Sequence, residues 1–126
     1  MFGTAVLCMD GRAHETTVNF VKDNFNVKYV DIITEAGADV IVAKFSDNEP
    51  VIKGLKTKLE ISIHKHHSKV ITIAGHADCA GNPIDEENHR KDILAAVDRI
   101  KSWYPEILVI GVWVGNDWKA VKVEAS

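Results

Sequence analysis

The sequence predicts an α/β fold: a mostly parallel central sheet of four strands plus an antiparallel edge strand, with helices on both faces. Three observations carry this. Short apolar, β-branched runs recur at residues 3–9, 27–34, 70–74 and 107–114. Between them lie stretches whose apolar residues return every third or fourth position. A parallel pair of strands needs such a helical crossover to bring the chain back, whereas the last short run, 120–123, follows the turn residues Gly115, Asn116 and Asp117 and so returns antiparallel.

Taken in order, the first strand leads into a helix marked by Val18, Val21 and Phe25, with Glu15 placed favourably in its first turn. The second strand is closed by Gly37. Residues 40–45 fit either a strand or a helix. Ser46 and Glu49 have the spacing of a capping box ahead of Pro50, and Val51, Leu55, Leu59 and Ile63 then recur every fourth residue, which predicts a helix packed on the sheet. Its end is the polar stretch 64–69. The third strand is expected to stop at Gly75. Asn82 and Pro83 are the expected cap and first residue of the next helix, whose stripe is Ile93, Val97, Ile100 and Tyr104 and which Pro105 closes.

At 126 residues, with 46% hydrophobic and 26% charged residues, the chain has ordinary globular composition, and no repeat, linker or low-complexity stretch interrupts it. One domain over residues 1–126 is expected. A net charge of -3 gives no electrostatic footprint for nucleic acid or an anionic membrane, so the expected partner is a small molecule or another protein chain. No apolar run reaches the roughly 18 residues of a membrane span, and Met1 leads directly into the strand-like Thr4, Ala5, Val6 and Leu7, which predicts a cytoplasmic protein without a leader. Two cysteines do not make a disulfide framework, so Cys8 and Cys79 need a chemical explanation.

Cys8, Asp10 and Arg12 alternate just after the first strand, and His76 and Cys79 follow the third. Open α/β sheets carry their sites outside the carboxyl ends of the strands, where these residues are expected to meet. Two thiolates and one imidazole suit zinc, and three protein ligands leave a fourth tetrahedral position for water or substrate. Other readings of the same residues are small buried core cysteines, a Cys8–Cys79 disulfide, and an Asp10–Arg12 pair that merely stabilises a turn. Asp78 has the residue type of a turn cap, and Gly75 and Gly81 of close backbone approach. His14 is a candidate proton shuttle or a surface histidine. His64, His66 and His67 are expected to form a solvated basic surface, and Trp103, Trp113 and Trp118 to pack the last helix and strands or a subunit contact.

The pair of motifs, Cys8-x-Asp10-x-Arg12 and Gly75-His76-x-Asp78-Cys79, together with Ala36-Gly37 after the second strand, resembles the β-class carbonic anhydrases over most of the chain. The resemblance implies zinc-dependent, reversible hydration of carbon dioxide to bicarbonate, with Cys8, His76 and Cys79 as zinc ligands. Asp10 and Arg12 are then the catalytic dyad beside the metal-bound water, and the site lies at the interface of a homodimer or higher homo-oligomer. It also implies a closed form in which Asp10 itself binds the metal.

The sequence departs from the family pattern at Thr34-Glu35, where arginine and asparagine commonly precede the alanine-glycine pair, and at Gly11, where serine is usual. No helical arm precedes the first strand, so pocket walls are expected from elsewhere. Hydrolysis of carbon disulfide or carbonyl sulfide at the same zinc site, and a non-catalytic zinc-binding role, are the competing expectations.

Overall fold

The computed structural model describes residues 1–125. Five strands form one sheet: β1 (Phe2–Leu7), β2 (Tyr29–Thr34), β3 (Val70–His76), β4 (Leu108–Val114) and β5 (Ala120–Val123). Their order is β2-β1-β3-β4-β5; the first three pairings are parallel and β4–β5 is antiparallel, as the sequence predicts. Four helices complete the fold: α1 (His14–Phe25), α2 (Ala38–Lys44), α3 (Pro50–His64) and α4 (Glu86–Trp103).

Because side chains alternate across a strand, the three central strands feed two cores. Val6, Ile71, Ile73, Val109 and Trp113 point to the face covered by α2, α3 and α4, where Val42, Ile52, Leu55, Leu59, Ile93 and Ile100 are buried. Ala5, Leu7, Val70, Ala74, Ile110, Val112 and Val114 point the other way, toward Val21 of α1. Helices therefore cover both faces. The full burial of β3 explains its mostly apolar sequence. Among the described residues no helix is long and apolar enough to cross a membrane.

Several boundaries differ from expectation, each for a physical reason. β3 continues through Gly75 to His76, so Gly75 is not a strand end. A Cβ there would lie 2.6 Å from Asp39 Oδ2 and 3.0 Å from Ile93 Cδ1, so the glycine admits α2 and α4 close to the sheet. Residues 40–45 are helical, within α2. α3 does begin at Pro50, but Glu49 is the cap residue and its side chain makes no capping bond; Ser46 Oγ instead accepts from the Asn48 main chain. α4 starts later than Asn82-Pro83 predicts, capped by Asp85, whose Oδ1 accepts from Asn88 N at 3.0 Å. Asn82 is turned inward and buried.

Candidate metal centre

β1 and β3 are neighbours in parallel register, Val6 opposite Ile73, so the residues that follow them emerge side by side at one edge of the sheet. Cys8 comes immediately after β1, His76 is the last residue of β3, and Cys79 follows a turn at Asp78, whose φ of 55° is left-handed. All three side chains are buried, and their ligand atoms lie within 4.8 Å of one another. The two sulfurs are 4.0 Å apart and both thiols are free. A tetrahedral ion with bonds of about 2.3 Å to sulfur holds two sulfurs about 3.8 Å apart.

The imidazole is already oriented for such an ion. His76 Nδ1 donates to Ala77 O at 2.7 Å, which fixes the tautomer and leaves the lone pair on Nε2. That Nε2 is buried and has no hydrogen-bond partner. A buried acceptor without a partner costs free energy, and a cation between it and the two sulfurs removes the cost. Burial and the neighbouring Cys8 push the Cys79 thiol up to about 11, against the opposing pull of main-chain N–H groups of Asn82 and Gly81. A metal ion supplies the positive charge that turns such a thiol into a thiolate. The donor set fits zinc.

Asp10 and Arg12 stand beside this cluster on a short 3-10 turn, Gly11–Ala13. Asp10 Oδ1 accepts from the Arg12 main chain at 3.0 Å, and the Arg12 side chain grips the carboxylate by Nε to Oδ1 at 3.0 Å and Nη2 to Oδ2 at 2.7 Å. These hydrogen bonds, with the guanidinium charge, hold the Asp10 carboxyl well below the usual carboxylate range. Arg12 reaches across to the second motif as well, with Nη1 3.3 Å from Asp78 Oδ2 and Nη2 3.4 Å from Asp78 O. Asp78 thus ties the two motifs together.

His14 turns its Nε2 to Cys8 O at 3.0 Å, which fixes its ring behind the first motif. His64, His66 and His67 are exposed and far from the cluster in the fold; His66 Nδ1 bonds Asp31 at 2.6 Å. Trp113 is buried beside His89, and Trp103 lies against Lys56 and Arg99.

Two features escaped the sequence reading. Trp118, on the β4–β5 turn, lies under the Arg12 guanidinium at 4.5 Å and 6.2 Å from the His76 ring, and adopts a left-handed φ of 56° to do so. Behind Cys79 sits a buried polar cluster of Asp39, Asn82, His89 and Asp92. One signal for it was present: His89 falls four residues before Ile93, on the apolar stripe of α4.

Among curated protein sequences none matches this one. Solved structures do resemble it. A carbonic anhydrase from Streptococcus mutans has a TM-score of 0.66 at 16% identity, over 96% of this chain and 81% of that one. A tetrameric β-carbonic anhydrase from Sordaria macrospora gives 0.66 at 13% identity, over 97% and 80%. β-Carbonic anhydrase isoform I from Trichomonas vaginalis gives 0.60 at 20% identity, over 95% and 81%. At these identities the likeness establishes the fold. The sequence itself matches the family model described as putative carbonic anhydrase from residue 1 to residue 124, and the chain therefore belongs to that carbonic anhydrase family.

Proposed function

We propose that the protein catalyses the reversible hydration of carbon dioxide to bicarbonate at a zinc ion held by Cys8, His76 and Cys79. The observation that carries the reading is the partnerless, buried His76 Nε2 grouped with two buried thiols, with an ionised Asp10 at the rim. When bound, zinc supplies the Lewis acidity that makes water nucleophilic near neutral pH.

The remaining work falls to this chain's own residues. Asp10, kept anionic by Arg12, accepts a hydrogen bond from the attacking water and aims its lone pair. Both Asp10 oxygens are engaged by the guanidinium, which holds the carboxylate at a fixed angle and keeps it from swinging onto the metal. Trp118 backs the guanidinium and lies 6.2 Å from the His76 ring, on the Arg12 side of the cluster.

Residues 1–126 act as one zinc domain, and two copies form a homodimer. Support for the dimer comes from β2, which pairs only with β1 among the described residues and exposes Tyr29 and Ile32 on an open sheet edge. Ile32, Ile33, Ile61, Lys58 and His66 line an open groove of about 210 Å3 beside it.

Stopped-flow hydration of carbon dioxide by protein of measured zinc content tests the function, with Asp10→Asn and Cys79→Ser alongside the wild type. Near one zinc per chain with activity lost in both variants is the expected result. Bound zinc with no hydration from pH 6 to 9 overturns it and moves the sulfur substrates and the non-catalytic role ahead.

A further inference from the structure

We propose that Asn82 is a positioning residue for the metal centre: anchored by its side chain between α2 and α4, it fixes the main-chain turn that carries Cys79. The inference rests on the zinc reading above and extends it to a residue outside both motifs.

Three observations support it. First, the Nδ2 end of the Asn82 carboxamide is committed. Its two Nδ2 hydrogens meet two carboxylates, Asp39 Oδ1 at 3.2 Å and Asp92 Oδ2 at 3.1 Å, inside a cluster that is almost wholly buried. Asp39 also receives His89 Nδ1 at 2.7 Å, and Lys44 Nζ lies 3.6 Å from Asp92 Oδ1, so each carboxylate has a cationic or donor partner besides Asn82. His89 Nδ1 lies 3.4 Å from the same Nδ2 but, as a donor to Asp39, offers it no lone pair. A side chain held this way has one orientation.

Second, the main chain of the same residue closes the Cys79 turn. The Asn82 N–H donates to Cys79 O at 3.3 Å. A metal ligand carried on a turn held in this way presents its donor atom in a fixed place. Third, the turn is clamped from its other side. A Cβ on Gly81 would stand 2.5 Å from the main chain of Ala36 and Gly37, so residues 79–82 are pressed between the loop that opens α2 and the helices that hold Asn82. Asp39 belongs to the first turn of α2 just past that loop. The clamp and the anchor are therefore one unit.

The test is zinc affinity by chelator competition, together with the thiolate-to-metal charge-transfer band of the cobalt-substituted protein. Asn82→Ala, Asp92→Asn and the remote core variant Leu59→Ala are compared with the wild type at one temperature. Asn82→Ala is expected to weaken zinc binding by about 10–100-fold and to shift the cobalt band. Leu59→Ala, matched in loss of melting temperature, is expected to stay within about threefold of the wild type, which separates positioning from general stability.

Asp92→Asn keeps an acceptor for Asn82 but removes its charge, and should weaken binding by an intermediate factor. It decides the matter if Asn82→Ala does not fold. Wild-type affinity and an unshifted band in the folded Asn82 or Asp92 variants overturn this inference alone. A wild type that takes up no zinc, and no more than Cys79→Ser does, overturns the zinc reading and this inference with it.

Discussion

Arg12 holds Asp10 by two parallel hydrogen bonds, Nε to Oδ1 at 3.0 Å and Nη2 to Oδ2 at 2.7 Å, with the Trp118 ring 4.5 Å behind the guanidinium. The Arg12 side chain is half exposed, so the pair contributes little to stability. Its value is geometric. A planar fork fixes both carboxylate oxygens, and the aromatic face limits rotation of the fork.

Arg12→Lys keeps the charge and loses the fork. The zinc content is expected to stay at the wild-type level while kcat/KM for carbon dioxide hydration falls by about 10–100-fold, the size of effect a misplaced catalytic group produces. Because the folded pKa of Asp10 lies below its unfolded value, the carboxylate stabilises the fold at all pH values above about 4 and loses that effect only as pH falls further. Asp10 is thus expected to remain ionised from pH 5 to 9, which its side-chain carboxyl resonance in an NMR titration checks directly. A step in that resonance between pH 5 and 9 would count against the role assigned to Arg12.

Cys79 behaves in the opposite sense. Its thiol is raised from 9.0 to about 11, chiefly by burial, so the metal-free fold holds this proton more tightly than the unfolded chain does. The apoprotein's stability from this group is complete below pH 9 and lost as pH rises toward 11. Zinc must displace the same proton, so apparent zinc affinity is expected to climb about tenfold per pH unit for this thiol alone between pH 7 and 9. Calorimetry in buffers of different ionisation enthalpy reads the protons released. Stripping the metal with a chelator should lower the melting temperature by about 10 °C where zinc stood at a hundred times its dissociation constant. Affinity that does not change with pH would show that Cys79 is not a ligand.

Much of this site was legible because its parts are local. The apolar runs that become β1 and β3 stand out in the sequence, and the alternation of Cys8, Asp10 and Arg12 and the spacing of His76 and Cys79 survive in any reading of the chain. What the sequence hid depends on distance. Asn82-Pro83 has the local form of a helix start, yet Asn82 is drawn inward by Asp39 and Asp92, and Asp85 takes the cap. Gly75 resembles a stop, yet it is the gap through which Asp39 and Ile93 approach β3. α2 is seven residues long, too short for its period to tell helix from strand. Trp118 meets Arg12 only because β5 folds back along β4.

The glycines supply a prediction of opposite signs. Gly37 has φ +68°, and a Cβ on it would lie 2.5 Å from Gly81 O, backbone against backbone. Neither side can yield without moving the Cys79 turn. Gly37→Ala is expected to cost about 2 kcal/mol or more in chemical denaturation and to weaken zinc binding. Gly54, on α3 with nothing within 4 Å of its missing Cβ, is the counterpart. Gly54→Ala should stabilise the fold by about 0.5–1 kcal/mol through helix propensity and leave zinc affinity unchanged. Equal effects from the two substitutions would refute the close contact at Gly81.

The last prediction concerns assembly. Among the described residues β2 presents an unpaired edge on which Tyr29 and Ile32 are 48% and 45% exposed, with Ile61 of α3 49% exposed nearby. An open, apolar edge invites pairing with another chain, and the homodimer proposed above places a second copy there. Sedimentation equilibrium is expected to give twice the 13.9 kDa chain mass or a multiple of that. Ile32→Lys places a charge on the edge and should raise the dimer dissociation constant by about tenfold or more, without loss of zinc from the folded monomer. If the wild type has the mass of one chain at every concentration, the dimer is wrong. If Ile32→Lys remains fully dimeric, the partner meets a different surface.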